Sequence, residues 1–285
     1  MQNIIELDRT RQKINWKNLT IISTFHLFTV AAFFYFSWQN FLIMLVGNWV
    51  VGSLGVGLGY HRLLTHCSFK APKWLEYTLT IFGTMAIQDD APRWVATHRI
   101  HHQFTETERD PHSTLPGFLW AHVNWILYGT AQDHDRATLQ KYVPDLMKDK
   151  FHTTLARYFY VPLIVSAFLL FAVGGWGAVL WGVFARVVFG WHSTWLVNSA
   201  THLWGKRRFE TKDDSTNNWA VALLTFGEGW HNNHHAFPTS ARHGLKWYEF
   251  DLNWLTIRLF EKLGWAKQIR LFETEKPSDK LKKAA

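Results

Sequence analysis

Two short stretches of the 285-residue chain carry histidine at i, i+3 and i+4: His98, His101 and His102 in one, His231, His234 and His235 in the other. On a helix this spacing puts three imidazoles on one face. Neutral imidazole is a common ligand for iron and zinc, so each face can offer several nitrogens to a metal. His61 and His66 form a looser pair upstream, and Asn198 and His202 sit one helical turn apart. Nine of the 16 histidines fall in these four stretches, more than one metal can bind. Two ions with four or five ligands each would use them. Tetrahedral zinc needs only four, so an all-histidine two-metal site points to iron. Iron bound by nitrogen can activate oxygen and remove hydrogen from an aliphatic carbon. Asn198 is the odd member, an amide able to bind a metal or to hold a water that does.

The elements that must position these residues are apolar. Apolar residues make up 48% of the chain, with 17 Trp and 22 Phe, and they concentrate in blocks that the mean hydropathy of -0.11 conceals. Residues 19–38, 41–60, 158–173 and 176–197 read as four membrane spans, since a bilayer core needs about 20 residues of helix. Turns are expected at Gln39-Asn40 and Gly174-Gly175. The second run carries Gly47, Gly52, Gly55, Gly57 and Gly59, which let helices approach closely. Residues 74–87 are apolar but too short to span, and read as a helix in the interface or packed under the metal site. Residues 131–157 read as charged cytosolic helix.

The net charge of +8 and pI near 9.5 would suit single-stranded nucleic acid. The apolar blocks assign it instead to a positive-inside bias, with no nucleic-acid partner. Neither expected turn carries Lys or Arg, and apart from Arg186 every cation lies on the other side. Both termini and all histidine clusters are therefore expected in the cytoplasm. Arg186, inside the fourth run, is expected to form a structural ion pair or an interface contact. A single cysteine, Cys67, excludes an intrachain disulfide framework and a Cys-rich metal site, and reads as a small packing residue. No cleavable signal peptide is evident. Each returning span ends at a histidine cluster, so the expected architecture is all-α: two membrane hairpins forming a stalk under a helical cap (61–157 and 198–285), in one domain. An acyl chain could then enter from the bilayer and thread beneath the metals.

With those residues in view, the chain resembles the membrane-bound fatty acyl desaturases of the delta-9, stearoyl-type branch. The matching pieces are His61–His66 (HRLLTH), His98–His102 (HRIHH), His231–His235 (HNNHH), Asn198–His202 (NSATH), Glu108–His112 (ERDPH) and Gly227–Pro238 (GEGWHNNHHAFP). The resemblance covers roughly residues 20–265. It implies a four-helix stalk, a di-iron centre and O2-dependent insertion of a cis double bond into a saturated acyl chain. It implies His61, His66, His98, His101, His102, His202, His231, His234 and His235 as ligands, with Asn198 holding a water, and no catalytic group beyond them. It also implies an external electron donor, cytochrome b5 or ferredoxin, because the chain has no nucleotide fingerprint and no haem domain.

The animal acyl-CoA enzymes of this family carry an Arg-Asp pair before the second cluster, where this chain has Ala96-Thr97. The stretches WVATHRIHHQFTETERDPHS and SARHGL are similar to the plant and cyanobacterial branch, which acts on acyl lipids as well as acyl-CoA. Trp49, twelve residues before His61, would lie ~18 Å deeper on an α-helix and is a candidate to close the substrate tunnel. Rival readings are a membrane di-iron hydroxylase and a metal transporter. The transporter would need ligands within the spans, where His26 and His192 read as isolated. The Lys282–Ala285 ending (KKAA) resembles an endoplasmic-reticulum retrieval signal, and a bacterial inner membrane fits equally.

Overall fold

The computed structural model describes residues 13–128 and 133–272, which form helices and loops with no β-strand beyond isolated bridges. Arg9, Arg11, the basic tail and the Lys282–Ala285 ending lie outside the described residues. Asn15 caps α1 (Trp16–Ala32) by accepting the Asn18 amide at 3.1 Å, so this helix starts before the expected residue 19. The first turn falls at Phe36-Ser37 rather than Gln39-Asn40. Ser37 is extended there, and its hydroxyl accepts the Asn40 amide at 3.1 Å to cap α2 (Trp38–Thr65). From Trp49 to Thr65, α2 winds as a π-helix, whose hydrogen bonds run i to i+5 and whose turns are wider than an α-helix's.

Three helical segments are long and apolar enough to cross a membrane: Trp16–Tyr35, Trp38–Thr65 and Val161–His202. The third has 42 residues; drawn straight it would reach ~63 Å, twice a ~30 Å hydrocarbon core. It is not straight. Gly175 has φ 60° and ψ -155°, a conformation open to glycine, and the chain reverses there. Leu170 Cδ1 lies 2.7 Å from where a Cβ on Gly182 would sit, and Leu163 shares a core cluster with Val183 and Val187. The expected turn is thus where the sequence placed it. The turn lies inside α5 (Val161–Val179); beyond it the returning arm continues through a π-helical stretch, Leu180–Ala185, into α6 (Arg186–Ser199). Large apolar side chains such as Phe34, Trp38, Phe168 and Val173 point outward. Exposed apolar surface on this scale belongs in lipid, and the chain is a membrane protein.

Helix α3 (Lys73–Thr84) covers the expected apolar stretch as far as Thr84, short of residue 87, and packs along α2. A Cβ on Gly55 would lie 2.5 Å from the Gly83 nitrogen, so here two backbones touch with no room for a side chain. Helix α4 (Ala91–Phe104) follows, capped by Asp90, which accepts the Arg93 amide at 3.0 Å. The expected charged helix after residue 131 is three short ones, Arg136–Tyr142, Pro144–Lys148 and Lys150–Arg157. Pro144 cannot continue the first of them. Beyond α6 come α7 (Trp219–Leu224), α8 (His231–Ala236) and α9 (Leu252–Lys262).

Two expectations change. Arg186 is buried, and its partners are carbonyls rather than a carboxylate: Nε donates to Gly182 O at 2.9 Å and Nη1 to Met85 O at 3.1 Å. Cys67 is exposed instead of packed, because it is the left-handed residue (φ 49°) at the turn that ends α2.

Candidate metal centre

The nine histidines converge and sort into two groups. His61, His66, His98, His102 and His234 form one; His101, His202, His231 and His235 form the other. Within each group one ring nitrogen per residue lies within 4.8 Å of all the others. Four elements supply them: the end of α2, the face of α4, the end of the helix through α6, and α8. The π-winding explains the looser pair. The His66 amide donates to His61 O at 3.1 Å, an i to i+5 bond, so residues five apart stand one turn apart and their rings meet at 4.8 Å.

Carboxylates orient the rings. His61 Nδ1 donates to Glu228 at 2.7 Å, His101 Nδ1 to Asp110 at 2.9 Å, His202 Nδ1 to Glu106 at 2.8 Å and His235 Nδ1 to Asp213 at 2.9 Å. An ionised carboxylate only accepts, so each of these Nδ1 atoms carries the proton and Nε2 keeps its lone pair. Such partners fix the tautomer and raise ligand basicity. The Nε2 atoms then crowd together: His61 to His234 at 3.1 Å, His234 to His102 at 3.0 Å, His102 to His98 at 3.1 Å and His231 to His202 at 2.9 Å. The Nε2 atoms of His66, His101 and His235 are buried with no hydrogen-bond partner among the described residues. Converging lone pairs repel unless a cation lies between them. The donors therefore fit a metal in each group.

Burial, reinforced by neighbouring imidazoles, holds His66, His98, His101, His102, His231 and His234 well below the ordinary histidine range. Burial would push the Glu228 carboxyl up, but the Arg62 guanidinium and the imidazoles outweigh it and hold Glu228 well below the carboxylate range. The imidazoles stay neutral in the fold yet take protons near pH 6.5 once unfolded. The unfolded chain then binds more protons below that pH, so stability falls as pH falls. Metal-stripped protein is expected to lose thermal stability steadily between pH 7 and pH 5; a melting temperature flat across that range would contradict this.

Asn198 lies beside the centre, lining both a cavity that reaches His98 and one that reaches His61 and His231. Trp49 is not among the residues lining the second cavity; its neighbour Asn48 is, with Gly52, Val56, Gly57 and His61. From Asn48 to His61 this face advances about 4.3 residues a turn, as a π-helix does, and the Trp49 ring is turned outward. The carboxylates Glu106, Asp110, Asp213 and Glu228 were not singled out in sequence, nor was His243, whose Nδ1 lies 3.1 Å from Glu228 Oε2 and whose ring lies against His234. The nearest signals were the ERDPH, GEGW and SARHGL stretches that carry three of these five. His26 and His192 are not isolated: their Nε2 atoms meet at 3.1 Å, and His192 Nδ1 meets His122 Nε2 at 3.0 Å. His192 uses a different nitrogen for each neighbour, so the three tie α1 to α6 without converging on a point.

The long helices of this membrane protein end at two buried histidine groups, each able to hold a metal ion. Residues 36–266 match the fatty acid desaturase family. The chain is 46% identical to an sn-1 stearoyl-lipid 9-desaturase of Anabaena variabilis, covering 92% of this chain and 96% of the relative. It is 45% identical to an sn-2 palmitoyl-lipid 9-desaturase of Nostoc, covering 90% of each. It is also 41% identical to an acyl-CoA 5-desaturase of Anemone leveillei, covering 93% of this chain and 84% of that one. The chain belongs to the fatty acid desaturase family and is an enzyme that introduces a double bond into a fatty acyl chain.

Proposed function

We propose that the chain inserts a cis double bond at delta-9 of a saturated long-chain acyl group carried on a membrane lipid, using two iron ions, O2 and electrons from ferredoxin or cytochrome b5. The observation that carries this is the meeting of two cavities at the metal centre. One is lined by α1, the segment after α3 and α6; the other lies between α2 and α6; both include Trp94, His98, Thr194 and Asn198. An acyl chain threaded through both would bend beside the histidines with its methyl end toward Asn48. Ring nitrogens 2.9–3.1 Å apart support a shared ion within each group, and nine histidine donors support iron, since two tetrahedral zinc ions would use only eight. Bound iron would supply the oxidising power. The chain's own residues hold the lone pairs in place, position the acyl carbons and keep water from them. The reversal at Gly175 supports four spans, and charge placement supports cytoplasmic histidine clusters.

Lipid rather than CoA is favoured by the two relatives that act on lipids and by Ala96 and Thr97. Both are buried, and the Thr97 hydroxyl is bonded to His134 at 2.8 Å, leaving no charge for a CoA phosphate. The test is gas chromatography–mass spectrometry of lipids from a desaturase-free host expressing the chain with an electron donor and fed deuterated stearate. A cis-9 monoene is expected; a hydroxylated acid would overturn the reading. Filling Gly52, whose added carbon would sit 3.4 Å from Phe226, is expected to shift preference toward shorter chains as Gly52→Leu. Trp49→Ala is expected to leave the preference unchanged, and the opposite pattern would return the limiting role to Trp49.

A further inference from the structure

Helix α7 has no polar side. It reads Trp-Ala-Val-Ala-Leu-Leu from Trp219 to Leu224. Val221 and Ala222 are buried, while Trp219 and Leu223 face outward, 71% and 58% exposed. A helix at a water-facing surface shows charged or polar residues there instead. Depth explains the difference. Counting ~20 residues of hydrocarbon core from Trp38 places the boundary on the histidine side near Leu58 of α2. A Cβ on Gly52 would lie 3.4 Å from Phe226, just past α7, and Ser53 donates to Asn253 in the first turn of α9 at 2.6 Å. Both contacts fall on the membrane side of Leu58. The outward face of α7, and Leu255 and Leu259 on α9, are therefore continuous with the lipid-facing surface of the spans.

Beside α7, at this boundary, is a groove. Trp204, Trp219, Leu223 and Tyr248 wall it, the buried Trp230 and Asn217 form its floor, and the exposed Lys206 stands on its rim. The polar atoms of the floor are satisfied inside the protein. Trp230 Nε1 donates to Phe250 O at 2.8 Å, Asn217 Nδ2 donates to Asn233 Oδ1 at 2.8 Å, and Asn217 Oδ1 accepts the Asn233 amide at 3.1 Å. Arg208 neutralises Glu249. Arg207 is held by Asp214 and by the Thr211 and Asp213 carbonyls. The Lys206 ammonium has no ion-pair partner among the described residues. The groove thus offers a ligand aromatic walls and one cation. Tryptophan and tyrosine beside lysine at this depth form the pattern of a membrane interface, where lysine attracts anionic lipid. The groove shares no lining residue with either acyl cavity.

We propose that the groove binds an anionic phospholipid that is not the substrate, with its phosphate at Lys206 and an acyl chain along Trp204, Trp219 and Leu223. An acidic protein surface would meet the same cation, but it arrives from water, and the face beside the groove is apolar and borders lipid. Trp230 directly precedes α8, which carries His231, His234 and His235, so lipid seated on Trp230 braces the second histidine group. The inference rests on the membrane setting of the helices, not on which acyl group the metal centre modifies.

The test uses full-length, metal-loaded protein, delipidated in neutral detergent and titrated with dioleoylphosphatidylglycerol or dioleoylphosphatidylcholine. Native mass spectrometry counts bound lipid, and melting temperature is followed alongside. Native protein is expected to retain one phosphatidylglycerol per chain at concentrations where phosphatidylcholine is lost, and to melt higher with it. Lys206→Glu is expected to weaken phosphatidylglycerol roughly tenfold or more and to leave phosphatidylcholine as it was. Trp219→Ala removes a wall and no charge, and is expected to weaken both. Lys148→Glu changes an exposed lysine at the end of the helix Pro144–Lys148, controls for net charge, and is expected to change neither. Equal retention of the two lipids by native protein would overturn the proposal. So would a phosphatidylglycerol affinity unchanged in Lys206→Glu, or lowered as much by Lys148→Glu. A Lys206→Glu protein that kept its lipid but required several-fold more reduced ferredoxin for half-maximal rate would overturn it too, and would make the groove a dock for an acidic electron carrier.

Discussion

A His234→Ala protein is expected to make no detectable double bond and to hold one metal ion fewer per chain. His234 Nε2 lies 3.0 Å from that of His102 and 3.1 Å from that of His61, so it stands in the middle of the five-histidine group. Its removal opens that group without touching His101, His202, His231 and His235, which share no ligand with it. Elemental analysis of purified native and variant protein, read beside product analysis, checks both parts. His231→Ala should show the converse, emptying the other group. If either variant kept two ions and made product, two separate centres would be the wrong description.

Glu228 carries the second large effect. Its Oε2 accepts from His61 and lies 3.1 Å from His243 Nδ1, and its Oε1 accepts from Arg62 Nε at 3.1 Å and Asn253 at 2.6 Å. Arg62 is fully buried and otherwise relies on Asp251 and the Ala241 carbonyl. Glu228→Leu leaves part of a buried guanidinium and the His61 imidazole without their acceptor, and removing one partner of such a pair costs ~3–5 kcal/mol. A melting temperature close to native for Glu228→Leu would refute this. Glu228→Gln keeps the shape but not the charge. It is expected to weaken metal binding about 10–100-fold, as loss of an outer partner does. Competition with a chelator measures this, and an unchanged affinity would mean that Glu228 holds Arg62 alone.

The histidines were legible because metal ligation demands one residue type at helical spacing, and HRIHH and HNNHH satisfy it as written. HRLLTH was harder. Five residues on an α-helix point well apart, and only the π-winding of α2 brings His61 and His66 together. The same winding turned Asn48 rather than Trp49 into the cavity, and nothing in the apolar pattern distinguishes the two windings. Gly174-Gly175 announced its turn, because no other residue type takes that backbone. Gln39-Asn40 misled, because the Ser37 cap set the boundary three residues earlier. The four orienting carboxylates were hidden for a different reason. Each contacts a histidine distant in sequence, or across a loop, so no local spacing records the pair.

The placement of those carboxylates has an electrostatic consequence. Histidine ligands are neutral, so nine of them contribute no charge, and two divalent ions would bring four positive charges into a buried space. Glu228, Asp110, Glu106 and Asp213, each bonded to the far nitrogen of a ligand ring, bring four negative ones. Arg62 and Asp251 offset each other at 2.9 Å. Electroneutrality is thus met one imidazole away from the ions rather than at them. Bound ions would then need no ligating carboxylate for charge balance, and a loaded centre could lie against a hydrocarbon chain without a net field across it.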